Sequence, residues 1–135
     1  MPTVHEHLAQ CEHNQAFLDQ LPYADQFPDW VVTVCFYKAV HLIDAFLAAN
    51  LGVPSHPDQH SERFQRLREA QRAGILPAPV FNHYQSLYDL SIAARYQCAK
   101  LSAENVQGAE ENDLPKVEQW VMEHLRKKGL IGGRH

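Results

Sequence analysis

Apolar residues recur along this chain at spacings of three and four. The longest such stretch, WVVTVCFYKAVHLIDAFLAANL from Trp30 to Leu51, is apolar on nearly every side. Thr33, Tyr37, His41 and Asp44 interrupt it, and at about 100° per residue these four fall on one narrow stripe of a helix. Its opening Val-Val-Thr-Val has the composition of a strand, but the uninterrupted length favours helix, because strands rarely exceed about ten residues. An apolar helix with one polar stripe is either a central bundle element holding an internal polar network or one wall of a site.

The remaining elements follow from the same periodicity. Thr3 and Glu6 have capping-box spacing at the start of a first helix, whose inner face is Val4, Leu8, Cys11, Gln15 and Leu18, widened by Phe17 and Leu21 and ended by Pro22. Asp29 is the expected N-cap of the second helix, and Asn50 and Gly52 its terminators. In the next segment Pro57 suits a first helical turn, with Ser55, His56 or Asp58 near the cap. Phe64 and Leu67 are its only strong apolar anchors, which places it on the surface. A second long helix is predicted from Val80 to Leu101, its face marked by Val80, Tyr84, Leu87, Tyr88, Ser91, Arg95 and Cys98. The acidic SAENVQGAEEND reads as a loop or frayed end. A last helix is capped by Asp113, has Pro115 in its first turn, and faces Leu114, Val117, Val121 and Leu125 inward, with Gly129 as its C′ residue. The pattern predicts an all-α fold, an antiparallel up-and-down bundle of four main helices plus a shorter surface helix. Residues 1–130 form one domain and 131–135 a flexible C-terminal tail.

Composition narrows the setting. At 135 residues, 45% apolar and 21% charged, the chain has the make-up of a single soluble globular domain. A net charge of −4 gives no global attraction to nucleic acid or anionic lipid, so any such contact needs a local patch. Cys11, Cys35 and Cys98 are odd in number, widely spaced and set in helical patterns, and are expected to be reduced core residues. The charged, histidine-bearing start from Met1 to Leu21 lacks a signal-peptide pattern. Lys38, His41 and Asp44 make membrane insertion of the central stretch costly. The expected location is cytoplasmic, without membrane contact.

Three constellations carry candidate chemistry. His41 and Asp44 on the second helix face Tyr84, Tyr88, Ser91 and Arg95 on the later long helix if the two pack antiparallel. A buried arginine needs an acidic or acceptor partner, and Asp44 is the natural candidate for Arg95. The outcome is either an internal ion-pair network fixing helix register or a ligand pocket. His56 and His60 have the His-x-x-x-His spacing of two metal ligands, which His41 and Asp44 could complete. Against this, Pro57 pushes His56 out of helical geometry, and cap and surface histidines are the simpler reading. Arg63, Arg66, Arg68 and Arg72 form the most basic run, either a solvated face or a phosphate contact. No cysteine neighbours a His-plus-acid pattern, and the chain holds no Gly-x-Ser-x-Gly, no phosphate-binding Gly-rich loop and no Cys-x-x-Cys, so no cofactor is expected.

FYKAVHLIDAFL, SHPDQHSERFQRL and YQSLYDLSIAARY, in that order, resemble the bacterial HEPN-like (higher eukaryotes and prokaryotes nucleotide-binding) domains over about Trp30 to Tyr96. The resemblance implies a four- or five-helix up-and-down bundle, often a homodimer. Many relatives are RNA-cutting toxins or defence proteins, some paired with a nucleotidyltransferase partner protein. Ribonuclease members use an Arg-x4-6-His motif to bind and cleave the RNA backbone. None of Arg63, Arg66, Arg68, Arg72, Arg95, Arg126 and Arg134 has a histidine at that spacing downstream.

The function expected from these residues is a HEPN-like module binding a nucleotide, RNA or partner protein, lacking the nuclease motif. His41, Asp44, His60, Arg63, Tyr88 and Arg95 are its candidate binding residues. Arg63 and Arg95 would hold a phosphate, His41 and Tyr88 orient it, and Asp44 position Arg95. The alternative is an enzyme: a HEPN member with a displaced RNA-cleaving site, or a metal-dependent hydrolase using His41, Asp44 and His60. A third reading, a structural oligomer, would use Val32, Phe36, Val40, Ile43 and Phe46 as a dimer face.

Overall fold

The computed structural model describes residues 2–20, 26–50 and 59–132. It is all-helical, 83% helix with no strand among the described residues, which settles the fold class. The elements are α1 (Val4–Gln20), α2 (Pro28–Asn50), α3 (His60–Arg72), α4 (Ala78–Tyr96), α5 (Ala103–Gly108) and α6 (Leu114–Lys127). A π-helical segment, Ala109–Asp113, joins the last two.

α2 is the hub, packed against α1, α4 and α6. It buries fourteen residues from Val31 to Leu47, because an apolar surface this wide must be covered on several sides at once. Its β-branched opening is helical, the tertiary burial of Val31 and Val32 outweighing their weak local preference. Val32, Phe36, Val40, Ile43 and Phe46 are at most 7% exposed within this one chain. They are therefore core, not the dimer face that the sequence left open. α2 is also long and apolar enough to cross a membrane by length and composition, though most of it is buried in the bundle.

The neighbouring helices dock as their patterns require. Leu114, Val117, Val121 and Leu125 of α6 are all buried. Pro115 sits in the first turn, and Gly129 (φ +73°) lets the chain turn out of the helix, its N–H and that of Leu130 bonding the Arg126 and Leu125 carbonyls. The Thr3–Glu6 capping box closes at 3.0 and 3.1 Å. Phe64 and Leu67 anchor α3, with Ala70 beside them.

Several expectations are corrected. Phe17 is 48% exposed and does not widen the α1 core face. Asp29 lies inside α2, one residue past its start, where its carbonyl accepts from the Thr33 hydroxyl at 2.7 Å. α4 ends at Tyr96 rather than Leu101, with Cys98 in the left-handed region (φ 52°) and exposed, so only Cys11 and Cys35 are core thiols. Burial pushes both of those up to about 12. The stretch read as a loop is helical: a reciprocal Ser102–Asn105 capping box starts α5, and Ala109 is buried where it becomes the π segment. Asp113 does not cap α6, because its carboxylate meets His83 at 2.9 Å instead. Ile131, assigned to the tail, is partly buried against the core. Leu21, Pro22, Leu51, Gly52, Ser55, His56, Pro57, Asp58 and residues 133–135 lie outside the described residues.

Phe46 is fully buried edge-on against the stacked Trp120 and His124 rings of α6, at centroid distances of 5.0 and 5.2 Å. Phe46→Ala is expected to destabilise the protein by about 3–5 kcal/mol, read as a lower denaturant midpoint at unchanged slope.

Candidate functional site

The polar stripe of α2 meets partners from three different helices. At its end nearest Asn50, Asp44 (4% exposed) accepts from Arg63 of α3 in a two-pronged bond: Nε to Oδ1 at 2.7 Å and Nη2 to Oδ2 at 3.0 Å. This is the geometry that matches a guanidinium fork to a carboxylate. Burial works against the Arg63 charge, and the Asp44 carboxylate overcomes it, raising the guanidinium above its ordinary value. The Tyr84 hydroxyl of α4 is buried beside Arg63 without closing a well-formed hydrogen bond, and burial pushes its phenol well up.

Arg63 also reaches the His60 ring, one turn earlier on α3, with Nη1 and Nδ1 3.3 Å apart. A guanidinium only donates, so His60 Nδ1 accepts and this imidazole is neutral, its remaining proton on Nε2. Burial, then Arg63, then Arg95 hold His60 below the ordinary histidine range, against a smaller pull from Asp44. The ring packs on Phe36 and Tyr88, each with centroids 5.4 Å away.

Arg95, from the last turn of α4, lies at the other side of His60. Its Nη1 donates to the Tyr37 hydroxyl at 2.9 Å and more weakly to that of Tyr96 at 3.5 Å, and Nη2 donates to the Ser91 hydroxyl at 3.3 Å. The guanidinium sits 5.0 Å from the Tyr96 ring centre, 5.4 Å from Tyr37 and 5.8 Å from Phe36. Rings at this range stabilise a cation without neutralising it. Tyr37 and Tyr96 are exposed, so this end of the network opens to solvent. Among the described residues no carboxylate pairs with Arg95.

His41, between Tyr37 and Asp44 on the stripe, turns to α1, where its Nδ1 lies 3.0 Å from Nδ1 of His7. Burial and then His7 hold His41 below the ordinary range.

Five of the six sequence-selected residues thus take part in one polar and aromatic network joining α2, α3 and α4, but not in the predicted pairing, while His41 turns to His7 of α1. Asp44 belongs to Arg63, not to Arg95. His41 and Arg95 share no hydrogen bond, ion pair or ring contact: His41 meets His7 of α1, and Arg95 meets Tyr37, Ser91 and Tyr96. Arg63 is 6% exposed, and its guanidinium is held by Asp44 inside the bundle. The metal set is not assembled: among the described residues no group of three His, Cys, Asp or Glu side chains converges. Both Asp44 oxygens face Arg63, and His56 lies outside those residues. Of the basic run, Arg66 meets Glu62 at 3.4 Å, and Arg68 covers the Phe64 and Phe81 rings.

His7 and Lys38 are among the participants that had no assigned role in the sequence. His7, 2% exposed, shares the α1 face one turn from Cys11. Lys38, 5% exposed, donates to Gln15 Oε1 at 2.9 Å and pairs with Glu118 at 2.9 Å. It lines a cavity of about 330 Å³ among α1, α2 and α6. A charge in mid-span of an apolar helix was the available signal for Lys38, since it must find a partner.

No protein-family model, curated protein or solved structure matches the chain.

Removing one partner of a buried pair strands the other charge. Asp44→Ala is therefore expected to cost about 3–5 kcal/mol, and Asp44→Ala with Arg63→Met appreciably less than the sum of the two single changes. Urea denaturation of the four-member cycle checks the coupling.

Proposed function

We propose that this chain is a HEPN-like helical binding module that takes the phosphate of a nucleotide or RNA on Arg95. In this reading the helices form the family's antiparallel up-and-down bundle of four main members, with α3 as the shorter surface helix. Homodimerisation and pairing with a nucleotidyltransferase belong to the same reading.

One observation supports it above the others. Arg63 is neutralised by Asp44 and, elsewhere in the bundle, Lys38 by Glu118, whereas Arg95 has hydroxyls and ring faces around it and no carboxylate among the described residues. An incompletely compensated guanidinium at a half-open position attracts an anion, and its fork geometry suits phosphate. Tyr37, Tyr88 and Tyr96 supply ring faces and hydroxyls for a base or sugar. Asp44 and Arg63 then serve as the fixed support beneath His60 rather than as ligand-binding groups.

His60 favours a second reading, RNA cleavage from a displaced site. A neutral imidazole beside an anion-attracting arginine has the protonation state of a general base. Arg95 would stabilise the phosphorane charge while His60 accepts the attacking 2′-hydroxyl's proton, the P–O bond to the 5′ oxygen breaking and that oxygen taking its proton from water.

Binding of a fluorescein-labelled single-stranded RNA and of ATP, followed by anisotropy and by calorimetry, tests the first reading. Arg95→Ala is expected to weaken binding by about 1.5–3 kcal/mol, more than tenfold in Kd, while shifting the melting temperature by less than about 6 °C. A lower melting temperature with unchanged affinity makes the Arg95 cluster structural. For the second reading, wild-type protein is expected to shorten total RNA in the absence of added metal, and His60→Ala to abolish this with binding retained.

A further inference from the structure

The cavity of about 330 Å³ among α1, α2 and α6 shares no lining residue with the Arg95 network. Its volume falls within the range of small-molecule sites and holds about ten groups the size of a water, at roughly 30 Å³ each. Leu8 and Ala16 of α1, Leu42 of α2 and Met122 of α6 give it apolar walls. Lys38 borders it from the middle of the apolar α2.

Lys38 is only 5% exposed, and the protein does not use all of its donors. An ammonium has three. One goes to Gln15 Oε1 at 2.9 Å, and Glu118 Oε2 lies 2.9 Å away. At least one therefore has no acceptor among the described residues. Stability alone does not ask for a charge here. A methionine would cover the same part of α2 without a desolvated ion, and the Glu118 side chain, 40% exposed, would return to water. A nearly buried donor left over at a cavity wall is best matched by an acceptor on the molecule that fills the cavity.

The charges around the cavity select that molecule. Glu118 balances Lys38. Gln15 reaches on to Asp19, its Nε2 donating to Oδ1 at 2.8 Å, but an amide brings no charge. Glu12 and Asp19 lie two turns apart on the same exposed side of α1. They border the cavity with no cation paired to either among the described residues. Such a mouth repels anions and attracts amines. A bare metal ion is poorly served, because no three His, Cys, Asp or Glu side chains converge among the described residues and much of the lining is hydrocarbon.

We propose that this cavity binds a small amphipathic amine carrying an oxygen acceptor, such as an amino alcohol. Its ammonium sits at the Glu12–Asp19 mouth, its alkyl part lies on Leu42 and Met122, and its oxygen accepts from the unmatched Lys38 donor. The site is separate from the one proposed at Arg95 and stands whether or not that one binds phosphate.

Met122 supplies the readout. The chain has two methionines, Met1 and Met122, so protein labelled with ¹³C on the methionine methyls gives two signals, and Met122→Leu identifies the one in the cavity. The probes are 6-amino-1-hexanol, hexylamine, 1-hexanol and hexanoate at constant ionic strength. The amino alcohol is expected to shift the Met122 signal saturably, with a Kd in the millimolar range or below. Hexylamine is expected to bind about threefold to tenfold more weakly, for want of the oxygen, with hexanol weaker than the amino alcohol and hexanoate the weakest. Lys38→Met is expected to erase the preference of the amino alcohol over hexylamine. Glu12→Gln combined with Asp19→Asn is expected to weaken both amines about threefold or more. Ala16→Trp, at an exposed position on the cavity wall, is expected to abolish binding with helical circular dichroism retained. It keeps the test decisive should Lys38→Met fail to fold. No saturable shift with any probe overturns the site, as do hexanoate binding as tightly as the amines and binding that survives Ala16→Trp. A hydroxyl preference that persists in folded Lys38→Met overturns the role given to Lys38.

Discussion

A carboxylate on the core side of the central helix governs how the other helices can be arranged around it. Asp44 is almost wholly excluded from water, and an uncompensated charge there would cost several kcal/mol. Arg63 compensates it with two hydrogen bonds from one rigid fork. That requirement fixes α3 against α2 in one register even though α3 has few apolar anchors of its own. It also engages Arg63 within the bundle and places His60 where it must accept from the same guanidinium.

From that pair outward the polar stripe becomes graded in its compensation. Asp44 and Arg63 are sealed and neutral as a unit. His60 is neutral and lodged between Phe36 and Tyr88. Arg95 remains cationic among Tyr37, Tyr96 and Ser91. Support and open end thus lie on one continuous network, which is how a rigid core can hold a partly exposed cation in a defined orientation. The same stripe turns its remaining imidazole toward α1, where it meets His7.

Much of the architecture is readable in the residues. The length and apolarity of α2, the Thr3–Glu6 box, the inward face of α6 and its Gly129 ending all follow from local rules, because capping and periodic burial involve residues near one another in sequence. Of two misread segments, one carried a local signal, the Ser102–Asn105 capping box, and the other is decided by a distant contact. SAENVQGAEEND is polar enough for a loop, yet a serine cap and the burial of Ala109 make it helical. Asp113 has a capping residue's identity, and His83, thirty positions away, claims its carboxylate.

The candidate site divides along the same line. Sequence alone determined that Tyr37, His41 and Asp44 share a stripe and that Tyr88, Ser91 and Arg95 share another, since 3.6 residues per turn is a property of the helix itself. Which cation meets which anion was decided only in the folded chain. Arg63 and Arg95 are both chemically fit partners for Asp44, and the choice depends on how far each helix slides and rotates against α2. Nor could periodicity select His7 from nine histidines as the one that reaches His41, because that contact depends on the seating of α1 and not on any local spacing.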